Sequence, residues 1–331
     1  MRGVILAGDI GGTKTRLALY EPGSPARAPR REQRFVSRDY PSLEALVTSF
    51  LTGLERPTHA AFGIAGPVVD GRVDATNLAW HVDAATLAAA IGGQVTLLND
   101  LAATGLGLPV LAATELALLQ PGPAGPGTGA LIAAGTGLGE CILVPEGGVW
   151  RTLPSEGGHV DFAPRDPLED ELLIWQRTRH PRVSYERVLS GAGLAELYRF
   201  YRDTGRGAAP PGFESAFDGA ADPAPLLTAA ALDGSCERAR LVVERFVSIY
   251  GAEAGNLALK TLAIGGVFVG GGIAPRLLPV LEAGGFVAAF AAKGRLSPVL
   301  QRIPVAVVLE DRCAMWGAAT VALGPGAGAG I

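Results

Sequence analysis

Gly8-Asp9-Ile10-Gly11-Gly12-Thr13-Lys14-Thr15 joins two short apolar runs, Gly3 to Ala7 and Leu17 to Tyr20. The spacing predicts strand, tight turn, strand. Two adjacent glycines let the backbone fold sharply and bring bare N–H groups close to a ligand. Asp9 can hold a hydrated Mg²⁺, Thr13 can donate a hydroxyl, and Lys14 adds positive charge, a combination that suits a polyphosphate. An ordinary Gly-Gly hairpin turn accounts for the same residues, and the segment alone leaves both readings open. It is not a P-loop: Thr13 separates Gly12 from Lys14, and a strand follows where a P-loop needs a helix. The chain also has no G-x-G-x-x-G fingerprint.

Working outward, the first hundred residues alternate strand and helix signals. Ser42 opens a helical stretch with Glu44, Leu46, Val47, Phe50 and Leu51 at helical spacing. His59 to Ala65 reads as a buried strand ending at Gly66-Pro67. Asp83 caps a helix through Ile91, and Gln94 to Leu98 is a strand that runs into Asn99-Asp100 and a helix. Strands alternating with helices imply a mainly parallel sheet. After a Pro/Gly-rich connector from Pro121 to Thr128 the opening logic returns: strand Ala130 to Ala134, glycine turn Gly135-Thr136-Gly137-Leu138-Gly139, strand Cys141 to Val144. The echo predicts two related domains, each with a phosphate-facing hairpin. Thr204 to Pro225 reads as a surface excursion, and Cys236 to Leu259 as a long helix. Val267 to Val269 is a strand ending in Gly270-Gly271-Gly272-Ile273 ahead of a helix with Pro275 in its first turn. Val305 to Leu309 is the last strand and Asp311 to Leu323 the last helix. The expected domains are 1–109 with 311–323, and 110–310, with 324–331 as a frayed tail.

With 331 residues, 48% hydrophobic and 18% charged, the chain has room for two α/β domains and a sizeable core. A net charge of −4 gives no general attraction to nucleic acid or to an anionic membrane. No apolar run is long enough to span a bilayer. Asp9 arrives before a signal-peptide core can form, so a cytoplasmic location is expected. Cys141, Cys236 and Cys313 lie far apart and offer neither metal-ligand spacing nor a disulfide framework. They read as buried thiols. Lys14 is the only lysine before Lys260.

Several other residues carry chemistry. Asp100, at the end of an apolar strand, can accept a proton from a substrate hydroxyl; Asn99-Asp100 also suits a helix N-cap. Glu156 and His159, with Gly157-Gly158 between them, can bond sugar hydroxyls or form a plain surface loop. Glu186 is either a binding carboxylate or a first-turn acid favoured by the helix dipole. Asn77, beside Trp80, can line a sugar pocket or sit in a loop. The glycines of 270–272 permit close approach of a flat ring or a phosphate, or simply a flexible turn.

Taken together these segments resemble the bacterial ATP-dependent glucokinases of the actin and hexokinase superfamily, over nearly the whole chain. The landmarks keep the family order: Asp9-Ile10-Gly11-Gly12-Thr13, then Leu98-Asn99-Asp100-Leu101-Ala102-Ala103, then Ala134 to Gly139. Ser155-Glu156-Gly157-Gly158-His159-Val160-Asp161-Phe162-Ala163-Pro164, Glu186-Arg187-Val188-Leu189-Ser190-Gly191 and Gly270 to Ile273 follow. The resemblance implies an α/β fold of two RNase H-like, actin-like ATPase domains with a cleft between them, closing over sugar. It implies transfer of the γ-phosphoryl of ATP to the 6-hydroxyl of glucose, with Mg²⁺ held through water by Asp9. Asp100 is implied as general base, and Asn99, Glu156, His159 and Glu186 as sugar contacts, with Asn77 a further candidate from its place beside Trp80. Gly8, Asp9, Ile10, Gly11, Gly12, Thr13, Gly135, Thr136 and Gly137 are implied as phosphate contacts, with Gly271 and Gly272 near the adenosine, and Lys14 is expected to join them by its positive charge. A homodimer is implied as well. Lys14 stands where enteric members carry Asn. The cysteine-rich zinc motif of the related ROK sugar kinases is absent, since no cysteine lies between Cys141 and Cys236. The competing expectations are a kinase for fructose, mannose or an N-acetylated sugar, a non-catalytic sugar-sensing protein, and a chaperone-like or filament-forming ATPase of the same superfamily.

Overall fold

The computed structural model describes residues 3–324 apart from 77, 124 and 148. The chain forms two compact units, one of residues up to 115 with 143–154 and the segment from 310, the other of 116–142 and 155–309. The strands in chain order are β1 (Ile5–Ile10), β2 (Lys14–Tyr20), β3 (Arg31–Val36), β4 (His59–Ile64), β5 (Arg72–Asp74), β6 (His81–Asp83), β7 (Gln94–Asn99), β8 (Leu116–Gln120), β9 (Gly129–Ala134), β10 (Leu138–Glu146), β11 (Val149–Ser155), β12 (Gly266–Gly270) and β13 (Val305–Val308). The first sheet has the order β3-β2-β1-β4-β7, with β1, β4 and β7 parallel and β1–β2–β3 an antiparallel meander. The second has the order β11-β10-β9-β12-β13-β8, with β9, β12 and β13 parallel. Leaving out β8, the two orders are the same, so the echo in the sequence is an echo in topology. Antiparallel β5–β6 is a small separate ribbon.

The first sheet carries helices α1 (Leu43–Phe50), α2 (Ala84–Ile91) and α3 (Asp100–Gly107) from its own connections. Ser42 and Asp83 cap α1 and α2, accepting from Ala45 N and Thr86 N. The second unit supplies α4 (Pro167–Arg177), α5 (Gly191–Asp203), α6 (Phe213–Gly219), α7 (Ala224–Leu232), α8 (Glu237–Thr261), α9 (Leu278–Glu282), α10 (Gly285–Ala291) and α11 (Ser297–Leu300), and α12 (Cys313–Leu323) closes the described chain. Each unit has its own core: Leu6, Leu17, Phe62, Trp80 and Leu87 in the first, and Tyr198, Phe246, Tyr250, Phe286 and Val307 in the second. Helices α3 and α12 cross at backbone distance, because a Cβ at Gly107 or Gly317 would overlap the carbonyl of Cys313 or Ala103. That contact fixes the helix that carries Asp100.

Three expectations are corrected. The stretch after Gly270 is not the start of a helix; residues 271–277 form successive turns and α9 begins at Leu278. Gly271, at φ +82°, passes so close to Ala134 O that no side chain fits there, and the chain needs several residues to turn away. This turn therefore offers an anion no helix N-terminus. Thr204 to Pro225 is not a bare excursion: it contains α6, whose Phe213 and Phe217 are buried against Tyr198. The last helix starts at Cys313 rather than Asp311, which leaves Asp311 outside it and exposed. The frayed-tail expectation concerns residues of which only Gly324 is described. All three cysteines are free and buried. Among the described residues no helix is long and apolar enough to cross a membrane.

Candidate active site

The first unit gathers its chemistry at one edge of its sheet. Ile10 is in register with Ile64, and Ile64 with Asn99, so Asp9-Ile10 and Asn99-Asp100 both stand at the carboxyl ends of parallel strands. This is where open α/β sheets bind ligands. The turn from Gly11 to Lys14 is closed by Gly11 N donating to Lys14 O at 3.0 Å. It is anchored from outside by Ser37, whose Oγ donates to Gly11 O at 2.7 Å and pairs with Thr15 Oγ1 at 3.0 Å, while Ser37 N donates to Thr13 O at 3.1 Å. Thr13 and Lys14 are exposed. Ile10 is a core residue and offers a ligand only its backbone. Gly8 has a packing reason to be glycine, because a Cβ there would lie 2.7 Å from both Leu17 and Phe62.

Asp9 carries the strongest electrostatic signal of the turn. Burial, then the nearby charges of Asp100 and Asp311, push its carboxyl up to about 7. Asp311 is in turn held by Arg16, at 2.9 Å, and by Arg34. A small cavity of about 210 Å³ is lined by Asp9, Lys14, Thr15, Arg16, Arg34 and Asp311. Asn99 is the N-cap of α3: its Oδ1 accepts from Leu101 N at 3.0 Å and Ala102 N at 3.2 Å, and its Nδ2 donates to Gly66 O at 3.2 Å. Asp100 is therefore the first residue of the helix and not the cap. Its Oδ1 accepts from Leu101 N at 2.9 Å. Asn77 lies outside the described residues.

The second unit repeats the turn with different support. Gly135 N donates to Gly137 O at 2.8 Å, and Gly191 N donates to Gly135 O at 2.9 Å. Glu186 Oε2 accepts from Leu138 N at 3.0 Å and fills the space a side chain at Gly137 would need. Gly271 lies against Ala134, so the glycine turn after β12 adjoins the Gly135 turn. Tyr250 ties both strand ends together: its OH accepts from Ala134 N at 3.0 Å and lies 3.2 Å from Ile132 O and 3.4 Å from Gly270 O. Glu156 and His159 flank a single tight turn, Gly157–His159, with both glycines buried. His159 stands between two carboxylates, 3.9 Å from Glu156 and 3.9 Å from Glu186. A cavity of about 430 Å³ opens beside this group, lined by Thr136, His180, Glu186, Arg187, Ser190 and Gly191 among others.

Asp9, the Gly11 turn, Asn99 and Asp100 thus lie together in one unit, and Gly135–Gly137, Glu156, His159, Glu186 and Gly271 in the other. Sequence reasoning missed Ser37, Tyr250 and Asp311. Ser37 and Tyr250 sit in segments without motif character, and Asp311 falls at the start of the helix that the sequence predicts.

A family model described as Glucokinase matches residues 6–324. The chain belongs to the glucokinase family. A glucokinase from Nostoc sp. is 40% identical over 337 residues, covering 96% of this chain and 98% of the relative. The crystal structure of a glucokinase from an Antarctic psychrotroph superposes with a TM-score of 0.82 at 33% identity, covering 97% of this chain and 99% of that one. The ROK family glucokinase from Streptomyces griseus, solved in complex with glucose and AMPPNP, shares the fold at a TM-score of 0.66 and 20% identity, over 97% and 99% of the two chains. The fold is that of the actin-like ATPases, and the chain is a sugar kinase.

Proposed function

We propose that this glucokinase transfers the γ-phosphoryl of ATP to the 6-hydroxyl of D-glucose with Asp100 as general base. Phosphorylation of glucose at the expense of ATP follows from family membership across nearly the full chain. The observation that supports Asp100 is its place: it opens a helix at the carboxyl edge of parallel strands, with its orientation set by the Asn99 cap and the Gly107–Gly317 helix crossing. A carboxylate there can orient the hydroxyl and take its proton. Glu156, His159 and Glu186 meet other hydroxyls of the sugar. Once the sugar covers these groups, losing one such partner leaves a polar group unpaired away from water, at roughly 1–3 kcal/mol, which is how wrong epimers are rejected. The two glycine turns hold phosphate oxygens with backbone N–H groups other than those of Gly11 and Gly135, which close the turns themselves. The cavity beside Thr136, Ser190 and Gly191 has the size to take part of a nucleoside.

Asp9 fits a hydrated divalent cation, since its raised carboxyl, beside Asp100 and Asp311, gains from any nearby positive charge. Among the described residues no three acidic, His or Cys side chains form a cage, so contact through water fits and direct enclosure does not. Mg²⁺ held by Asp9 through water would supply positive charge to offset that of the phosphates. The Ser155–Pro164 and Glu186–Gly191 segments, and the lack of cysteines beside them, favour the enteric-type branch over the zinc-containing ROK branch. The reading is tested by ³¹P NMR of the product and by a coupled assay across hexoses. The expected product is glucose 6-phosphate, with fructose, mannose and N-acetylglucosamine turned over far more slowly; equal turnover of another hexose contradicts the assignment.

A further inference from the structure

Beneath the Glu156–His159 turn lies a pair of acids that the reaction does not use. Glu140, on β10 just after the glycine turn, is 2% exposed, and Glu253, on α8, is fully buried. Each has its Oε1 buried and outside hydrogen-bond distance of a donor, with Glu253 Oε1 facing Lys260 Nζ at 3.6 Å. Glu140 Oε2 occupies the space a Cβ at Gly157 would need, so Gly157 rests directly on this carboxyl. Gly157 N is in turn held by Ser155 Oγ at 3.0 Å. The charged and titratable groups facing the pair are Lys260, 3.6 Å from Glu253, then Lys293, Tyr185 and Tyr250, with Arg165 further out. Glu253 Oε2 accepts from Asn256 Nδ2 at 2.7 Å, and Lys293 Nζ donates to Asn256 Oδ1 at 2.5 Å and to Ala252 O at 2.8 Å.

We infer that Glu140 is a positioning residue for the sugar: it shares one proton with Glu253, and that proton holds the Gly157 turn, and with it Glu156 and His159, in the binding-competent geometry. The inference rests on the assignment of Glu156 to the sugar. The two carboxyls lie within hydrogen-bond reach of each other, and only a proton can make that bond, whereas two ionised carboxylates in this setting repel each other. Lys260 and Asn256 face Glu253, so the proton resides on Glu140. Burial first, and the charge of Glu253 second, push the Glu140 carboxyl up to about 8. The proton is therefore held at neutral pH and lost in the alkaline range. Loss of it displaces the carboxyl against which Gly157 rests, so only the protonated form binds sugar well.

The test is the pH dependence of KM for glucose and for ATP, from pH 6.5 to 9.5, in the wild type, Glu140→Gln, Glu140→Ala and Glu156→Gln. The carboxamide of Glu140→Gln donates to Glu253 without a proton to lose. In the wild type, glucose KM should rise roughly tenfold above pH 8 as the competent fraction falls, with ATP KM nearly level. Glu140→Gln should match the wild type at pH 7 and stay flat to 9.5, while Glu140→Ala should bind glucose weakly at every pH. A flat wild-type profile, or an alkaline rise that persists in Glu140→Gln, overturns the inference and leaves the sugar assignment standing. Glucose KM unchanged in Glu156→Gln overturns the sugar assignment itself, and the inference with it.

Discussion

The turn at Gly11 and the turn at Gly135 occupy the same place in two sheets of the same strand order, yet different chemistry holds them. The first is fastened by a hydroxyl, Ser37, and faces three acids, Asp9, Asp100 and Asp311. The second is fastened by a carboxylate, Glu186, and by the backbone of Gly191, and it opens on a cavity of about 430 Å³. Repeated topology supplies two backbone cradles, and the residues around each decide its task. Acids around the first suit a metal and a proton transfer. The second, with a carboxylate–imidazole–carboxylate group and open volume nearby, suits neutral hydroxyls and a nucleoside.

That division can be broken in order of expected effect. Asp9→Asn should lower kcat by about a hundredfold, with glucose binding retained, because metal charge stabilisation is lost; a Mg²⁺ titration of the rate checks it. The same variant has a stability signature. The Asp9 carboxyl lies at about 7 in the folded state against 3.8 ordinarily, so the native protein binds more protons than the unfolded chain in that window. Wild-type stability should therefore fall as pH rises from about 4 to 7, and Asp9→Asn should flatten the slope of Tm in that range. Glu156→Gln should raise glucose KM about tenfold and leave ATP KM nearly unchanged, the cost of one poorly matched hydrogen bond. Gly137→Ala should displace Glu186 from Leu138 N and weaken substrate binding several-fold, at about 1 kcal/mol. Gly135→Ala, where no atom lies within 4 Å of the new Cβ, should be tolerated. Equal behaviour of the two glycine variants would contradict the role given to Glu186. Ser37→Ala should loosen only the first turn, raising ATP KM a few-fold and costing about 1 kcal/mol in thermal unfolding.

Much of this was readable from sequence because backbone demands leave residue signatures. Gly11 against Lys14 O, Gly137 against Glu186, and the capping residues Ser42, Asp83 and Asn99 each require a particular residue type. Strand β3 left no such mark: its first four residues are polar and exposed, and only pairing with β2 makes it a strand. Helix α6 was hidden in a Gly/Pro-rich stretch, where Phe213 and Phe217 alone signal burial. Asp311 and Glu140 look like ordinary acids until the fold brings Asp9, Arg16 and Arg34 to one and Gly157 and Glu253 to the other. Long-range electrostatics has no local pattern, which is why those groups emerge only from the coordinates.

The central claim is that Asp100 removes the proton from the sugar hydroxyl. Single-turnover phosphoryl transfer by Asp100→Asn, with ATP and glucose affinities measured separately by calorimetry, tests it most directly. The account predicts a loss of about 10²–10⁴ in the transfer rate with ATP binding intact. A variant that transfers phosphate at close to the wild-type rate would contradict it.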